Sequence, residues 1–267
     1  MSGHSKWSSI KHKKGAADSK RGQLFSKLSR AIIVAAREGG GDPSANLALQ
    51  NAVEKAKSYS MPKDNIERAI AKGSGADADA ASFETVVYEG YGPEGVDVLV
   101  EAVTYEGYGP EGVAIIVEAL TDNRNRTAAD VRSVFTKYHS SLGAPGSVAW
   151  QFDRKGVIQI PAEGTTEDDV VLGAADAGAE DAALDGEVWQ VTTAPTELAA
   201  VRDALEANGL QVESAELRLV PRNTIGLDED GARKLLRLID GLEDLDDVQD
   251  VYANFDIPDA VLEAVAG

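Results

Sequence analysis

An α+β fold opening on a small helical bundle is the class this sequence predicts, and three observations predict it. Apolar residues recur at helical spacing through the first 72 positions. Beyond residue 82, short β-type runs alternate with amphipathic helical runs, which points to α+β sandwiches. The charge divides at the same place: fourteen Lys and Arg stand against six Asp and Glu through Lys72, a balance of +8, and twelve stand against thirty-nine afterwards, a balance of −27. A basic head on an acidic body suggests that one end meets a polyanion while the rest is repelled from it.

"KRGQLFSKLSRAIIVAAR", Lys20 to Arg37, places Leu24, Phe25, Leu28, Ala31, Ile32 and Ala35 on one helical stripe, and Gly39 to Gly41 stop it. Lys20, Lys27, Arg30 and Arg37 gather on a flank away from that stripe. Asp42 and Pro43 read as the N-cap and first residue of a second helix, with Leu47, Val53 and Ala56 facing inward. Pro62 opens a third helix, "KDNIERAIAK", which Gly73 ends. "GSGADADAAS", residues 73–82, has no apolar period and reads as a linker. The expected strands are "FETVVYEGY", "VAIIVEALT", "SVAWQF", "GVIQIP", "EVWQVTT" and "SAELRLV". The expected helices are "TAADVRSVFTKY", "EDDVVLGAADAG", "PTELAAVRDALEANG" and "EDGARKLLRLIDGLED".

Composition narrows the chemistry. The chain of 267 residues has no cysteine, so disulfides, thiolate catalysis and Cys-ligated zinc are excluded, and a reducing, cytoplasmic setting fits. The longest apolar run, Ala31 to Ala36, is far short of the roughly 20 residues that span a bilayer, so no membrane partner is expected. The opening residues lack the apolar stretch of a secretory signal.

The N-terminal arm gathers Lys6, Lys11, Lys13, Lys14, Lys20 and Arg21 around Trp7, with no acid before Asp18. Cations neutralise phosphates and an indole can stack on an exposed base, so the arm is a candidate nucleic-acid contact. The plainer reading is a solvated basic tail whose Trp7 docks on the bundle. His12 adds a hydrogen-bonding or phosphate-contacting group. His4 and His12 could in principle cleave RNA by acid/base chemistry or bind a metal, but a Gly- and Ser-rich arm holds them poorly for either. No catalytic residue, metal ligand or cofactor is therefore expected. "LTDNRNRTAADVR" clusters Arg124, Arg126 and Arg132 near a strand-to-helix turn, with Thr127 and Asp130 suited to the helix start. These arginines suit either an RNA or anion contact or internal salt bridges. The acidic groups Glu167-Asp168-Asp169 and Glu243-Asp244 with Asp246-Asp247 match no calcium-loop spacing and read as solvated faces.

"GHSKW", "KRGQLFSKL", "PKDNIERAI", "YEGYGPEGVAIIVEALTDNRNRTAADVR", "GAPGSVAWQF" and "DVQDVYANFDIP" together resemble the YebC/PmpR family, whose relatives include mitochondrial translational activators. The resemblance runs in order over nearly the whole chain. It implies a helical N-terminal domain followed by two α+β domains, one inserted in the other, with residues 1–75, 82–136 plus about 218–267, and about 137–217 as their extents. It also implies no known catalytic activity, assignment as a DNA-binding transcriptional regulator and, for some members, a role at the ribosome easing synthesis of proline-rich stretches. The family pattern has a glycine pair where this chain reads His139-Ser140-Ser141.

It also has "YEGYGPxGV" once, whereas here Tyr88–Thr104 and Tyr105–Thr121 match at thirteen of seventeen positions. Each unit is a turn plus a strand, so a tandem duplication adds a strand without breaking local rules. The second copy is expected to keep the hairpin slot, with "VDVLVEAVTYEGY" as its partner and "FETVVYEGY" displaced to an edge or loop. A monomer is favoured, a dimer exchanging this hairpin being the alternative. The functional expectation is a non-enzymatic regulator gripping DNA or ribosomal RNA, with the ribosome as a further partner, through Lys6, Trp7, Lys11, His12, Lys13, Lys14, Lys20, Arg21, Lys27, Arg30, Arg124 and Arg126. The rival from another class is an acidic protein adaptor with an incidental basic arm.

Overall fold

A computed structural model describes residues 18–75 and 101–258 together with Val261 and Val265. The chain begins there with α1 (Asp18–Gly39), α2 (Leu47–Ser58) and α3 (Lys63–Ser74). Leu28, Ile32, Ala35 and Ala36 of α1 close on Leu49, Val53 and Ala56 of α2 and on Ile66 and Ala69 of α3. That cluster is the helical period of the sequence converted into burial, and it makes the first unit. The crossing of α1 and α3 is tight: a Cβ on Gly73 would lie 2.5 Å from the Ile33 carbonyl oxygen. The second helix starts later than its sequence suggests. Asp42 closes a local turn on Ser44, and the N-cap is Asn46, whose side chain accepts from Leu49 N–H and donates to the carbonyls of Ala35 and Gly40. Asn46 wins because one buried amide serves both helix ends.

The first sheet has the order β3-β1-β2-β9, from β1 (Glu101–Tyr108), β2 (Ala114–Thr121), β3 (Ser141–Leu142) and β9 (Val248–Ala253). Its neighbours are antiparallel. The central β2 is buried on both faces, which is why its sequence runs Ala-Ile-Ile-Val instead of alternating. One face packs on α4 (Arg124–Lys137) and α7 (Glu229–Glu243) through Ile115, Val117, Val131, Phe135, Leu235 and Ile239. The other presents Ala114 and Ile116 to Phe152 and Leu219 of the second sheet and to Val148 in the loop before it.

That second sheet has the order β5-β6-β4-β7, from β4 (Phe152–Pro161), β5 (Asp181–Asp185), β6 (Val188–Thr193) and β7 (Ser214–Pro221). It is covered by α5 (Glu167–Asp176) and α6 (Leu198–Ala207) around Ile158, Ile160, Val170, Val191 and Leu205. A short parallel pair, β8 (Ile225–Gly226) with β10 (Phe255–Asp256), closes the described fold. The fold is therefore α+β, a helical unit followed by two sheet units, and the second sheet lies in sequence between β3 and β9 of the first. The chain passes between the sheets after β3 and again after β7, whose Leu217 and Arg218 pair with Gly156 and Lys155.

The duplicated stretch resolves into one hairpin. Thr104 of the first copy pairs with Glu118 of the second, and Tyr105 with Val117, so β1 is built from the end of one copy and the start of the other. Gly109 to Val113 form the turn, in which Glu111 takes a left-handed φ of 55° and Gly112 one of 79°. Residues 83–91, expected as the displaced strand, lie outside the described residues. "SVAWQF" is not a strand: Ala149–Gln151 is a 3-10 turn, and β4 starts at Phe152. The cause lies forty residues away, where the Glu106 carboxylate accepts from the backbone N–H groups of Gly146, Val148 and Ala149 at 2.7, 2.7 and 2.9 Å. Those donors turn inward and cannot join a sheet. Burial pushes the Glu106 carboxyl up, but the three N–H groups outweigh it and hold it below its ordinary value.

Candidate nucleic-acid interface

Lys6, Trp7, Lys11, His12, Lys13 and Lys14 lie outside the described residues. Lys20 and Arg21 fall within the first turn of α1. From Lys27 onward the cationic flank of α1 is described; Lys27 and Arg30 point at the body, and Arg37 is exposed. Lys27 Nζ donates to the Glu243 carbonyl, and Arg30 Nη1 donates to the Asp246 carbonyl at 2.9 Å and to Asp247 Oδ1 at 2.7 Å. Lys27 and Arg30, expected as phosphate contacts, thus have partners within the chain in this arrangement.

Arg126 is similarly engaged. "DNRNRT" makes α4 begin at Arg124, three residues before the expected start, because Asn123 rather than Thr127 is the N-cap, accepting from Arg126 N–H at 3.1 Å. That geometry aims Arg126 Nη2 at Asp122 Oδ1, 2.6 Å away, and at Asp247 Oδ2, 2.7 Å away. Thr127 Oγ1 donates to the same oxygen at 2.7 Å and Thr121 Oγ1 approaches it at 3.2 Å. Of the two readings of the arginine cluster, Arg126 therefore takes the internal one. Arg124 and Arg132 are exposed, and Arg132 lines a shallow groove of about 520 Å³ with Ala129, Ser133, Thr136 and Lys137.

Asp247 thus joins three parts of the chain: α1, the start of α4 and the turn before β9. Its side chain is 7 % exposed. Burial pushes its carboxyl up, but hydrogen bonds from Arg126 and Thr127 and the charges of Arg126 and Arg30 bring it below the ordinary 3.8. Its importance was not visible in the sequence, where it sat in an acidic run.

A second set of charges meets where all three units approach one another. Lys55 of α2 lies 3.9 Å from Asp250 of β9, and Asp250 pushes the ammonium up. Glu118 and Tyr252 of the first sheet and Glu216 and Arg218 of the second stand around that pair, with Arg218 3.2 Å from Glu216. Burial, and then the neighbouring Asp250, push the Glu118 carboxyl up from 4.5. Among the described residues no group of three or more His, Asp or Glu could hold a metal ion, and no helix is long and apolar enough to cross a membrane.

Comparison with known proteins agrees with this architecture. Residues 5–76 match the family described as TACO1/YebC protein N-terminal domain, and residues 100–255 match TACO1/YebC second and third domain. The interval between the two matches holds most of the first copy of the repeat. A protein of Rubrobacter xylanophilus is 56% identical over 267 residues, and one of Thermobifida fusca 50% over 266, each alignment spanning 100% of both chains. Both carry the name "Probable transcriptional regulatory protein". A crystal structure of a conserved hypothetical protein from Aquifex aeolicus is similar at a TM-score of 0.76 and 45% identity, covering 91% of this chain and 93% of that one. With its helical unit and both sheet units accounted for, the chain belongs to the TACO1/YebC family.

Proposed function

We propose that this protein is a non-enzymatic, nucleic-acid-binding regulator of gene expression that acts as a cytoplasmic monomer, with duplex DNA as its first target. The observation that carries the reading is the charge division: +8 through Lys72 against −27 in the remainder. Such a molecule approaches a polyanion basic end first, and the acidic body limits how much of it lies along the duplex. Lys6, Lys11, Lys13, Lys14, Lys20 and Arg21 supply phosphate contacts and Trp7 a stacking group. Arg124 adds an exposed cation on the body. The relatives' names support a regulatory role in transcription.

One observation favours a second reading, a ribosome-associated RNA-binding factor easing synthesis of proline-rich stretches. At the start of α4, Asn123 is committed to capping and Arg126 to two carboxylates, so this Asn/Arg pair offers no base-reading face. Backbone and shape recognition, which structured RNA invites, needs no such face. Competition separates the two. A labelled DNA duplex bound to the protein is displaced in turn by unlabelled duplex, structured ribosomal RNA and intact ribosomes. Displacement by duplex at the lowest concentration is the expected result. Displacement by ribosomes or their RNA at far lower concentrations would replace it with the second reading.

A further inference from the structure

The cations of α1 and α2 that touch the body are of the kind that binds phosphate, yet here they face acids and carbonyls of their own chain. Lys27 and Arg30 reach Glu243, Asp246 and Asp247, and Lys55 reaches Asp250. Asn51 Nδ2 donates to the Ala215 carbonyl, and Arg202 Nη1 lies 3.5 Å from Gln50 Oε1. Leu47 adds apolar contact with the core under the second sheet. The residues that make the bundle core pack against one another, in a cluster separate from those of the sheets. The junction is therefore held largely by charge and hydrogen bonds, which salt screens and a competing anion can replace.

We propose that this junction is an autoinhibitory clasp: the carboxylates of Asp247 and Asp250 and the backbone carbonyls of Glu243 and Asp246 engage a phosphate-binding surface made by Lys27, Arg30 and Lys55, and a nucleic-acid backbone displaces them. The inference rests on the nucleic-acid reading above and deepens it, adding Lys55 to the contact set. A duplex presents about one negative charge per 1.7 Å, a denser array than the acids of this edge. The basic arm makes the first contact, and the three engaged cations join once the helical unit swings away. Binding energy spent on opening weakens the resting affinity, so loosening the clasp tightens binding.

The absence of native cysteine makes the test direct. Donor and acceptor dyes are placed on the full chain through Ser58→Cys on α2 and Asp176→Cys on α5, both exposed positions. Energy transfer is read with and without a DNA duplex and structured RNA, and in about 1 M salt, where the Debye length falls to roughly 3 Å. Affinities are measured for Asp247→Asn, Asp250→Asn and Glu206→Gln. The last removes the same charge from an exposed position of α6 outside the junction, and Asp250→Asn keeps the test open should Asp247→Asn fold poorly. The expected results are lower transfer on adding duplex or in high salt, and binding at least about fivefold tighter for the two aspartate variants than for Glu206→Gln. Binding that leaves transfer unchanged, with all three variants alike, would overturn the clasp and leave the nucleic-acid reading standing. Binding of neither DNA nor RNA by any form would sink that reading and the competition with it, whatever salt does to the transfer.

Discussion

Asp247 is a carboxylate kept ionised at low exposure by two guanidinium groups and two hydroxyls drawn from segments far apart in sequence. Asp247→Ala leaves those donors without their acceptor and should lower unfolding stability by about 2–4 kcal/mol in urea titrations. Because the folded carboxyl titrates below 3.8, its contribution is complete above that value and disappears as pH falls through the lower folded one. The gap between wild type and variant should therefore close in acid. Glu118 has the opposite sign. Its raised carboxyl makes the ionised form costly in the folded state, a cost absent below 4.5 and fully present above the raised value. Glu118→Gln should raise Tm slightly at pH 7, on the order of 2 °C, with the gain fading toward pH 4.5. His139 ends α4 with a φ of 55°, and Ser140 N–H bonds to the Phe135 carbonyl, the closure that a left-handed glycine usually permits. His139→Gly should stabilise the chain by about 0.5–1 kcal/mol in the same titration, since this left-handed site asks for the backbone freedom that glycine supplies.

At the scale of elements, two close approaches fix how β1 sits against its neighbours in the first sheet unit. A Cβ on Gly107 of β1 would lie 2.5 Å from Phe135 Cε1 and 2.7 Å from the Ser141 carbonyl oxygen. Gly107→Ala must push β1 from α4 or from β3, and a loss of about 2–4 kcal/mol is expected by calorimetry or urea unfolding. Most helices could be read from the sequence because their burial follows the 3.6-residue period: Leu28, Ile32 and Ala35 in α1, or Leu235, Leu238, Ile239 and Leu242 in α7. What could not be read depended on distant partners. β5 is "DAALD", whose charged ends and small apolar residues carry no strand pattern, and it is a strand because β6 pairs with it. "SVAWQF" alternates like a strand, yet Glu106 folds its start into a loop. The start of α2 shifted to Asn46 because that amide also serves the end of α1. The candidate site divides the same way. Charge density along the arm is a local property and shows in the sequence. The capture of Lys27 by the Glu243 carbonyl, and of Arg30 and Arg126 by Asp247, each more than a hundred residues away, is a property of the fold.

For the whole molecule, the division of charge does two jobs in this account. It brings the basic unit to a polyanion first, and it lets the acidic body bind part of that unit when no polyanion is present. The repeat leaves this layout intact, since the second copy completes the hairpin at the centre of the first sheet. The central claim is that the basic arm grips nucleic acid through its phosphates. The most direct measurement is the salt dependence of duplex DNA affinity for wild type and for a chain carrying Lys11→Glu, Lys13→Glu and Lys14→Glu. If three phosphate contacts are lost, the slope of log K against log salt should flatten by about 2.7, near 0.9 per contact, with affinity falling steeply at low salt. A slope and affinity that the triple reversal leaves unchanged would contradict the claim and make the arm an incidental appendage of a protein-binding adaptor.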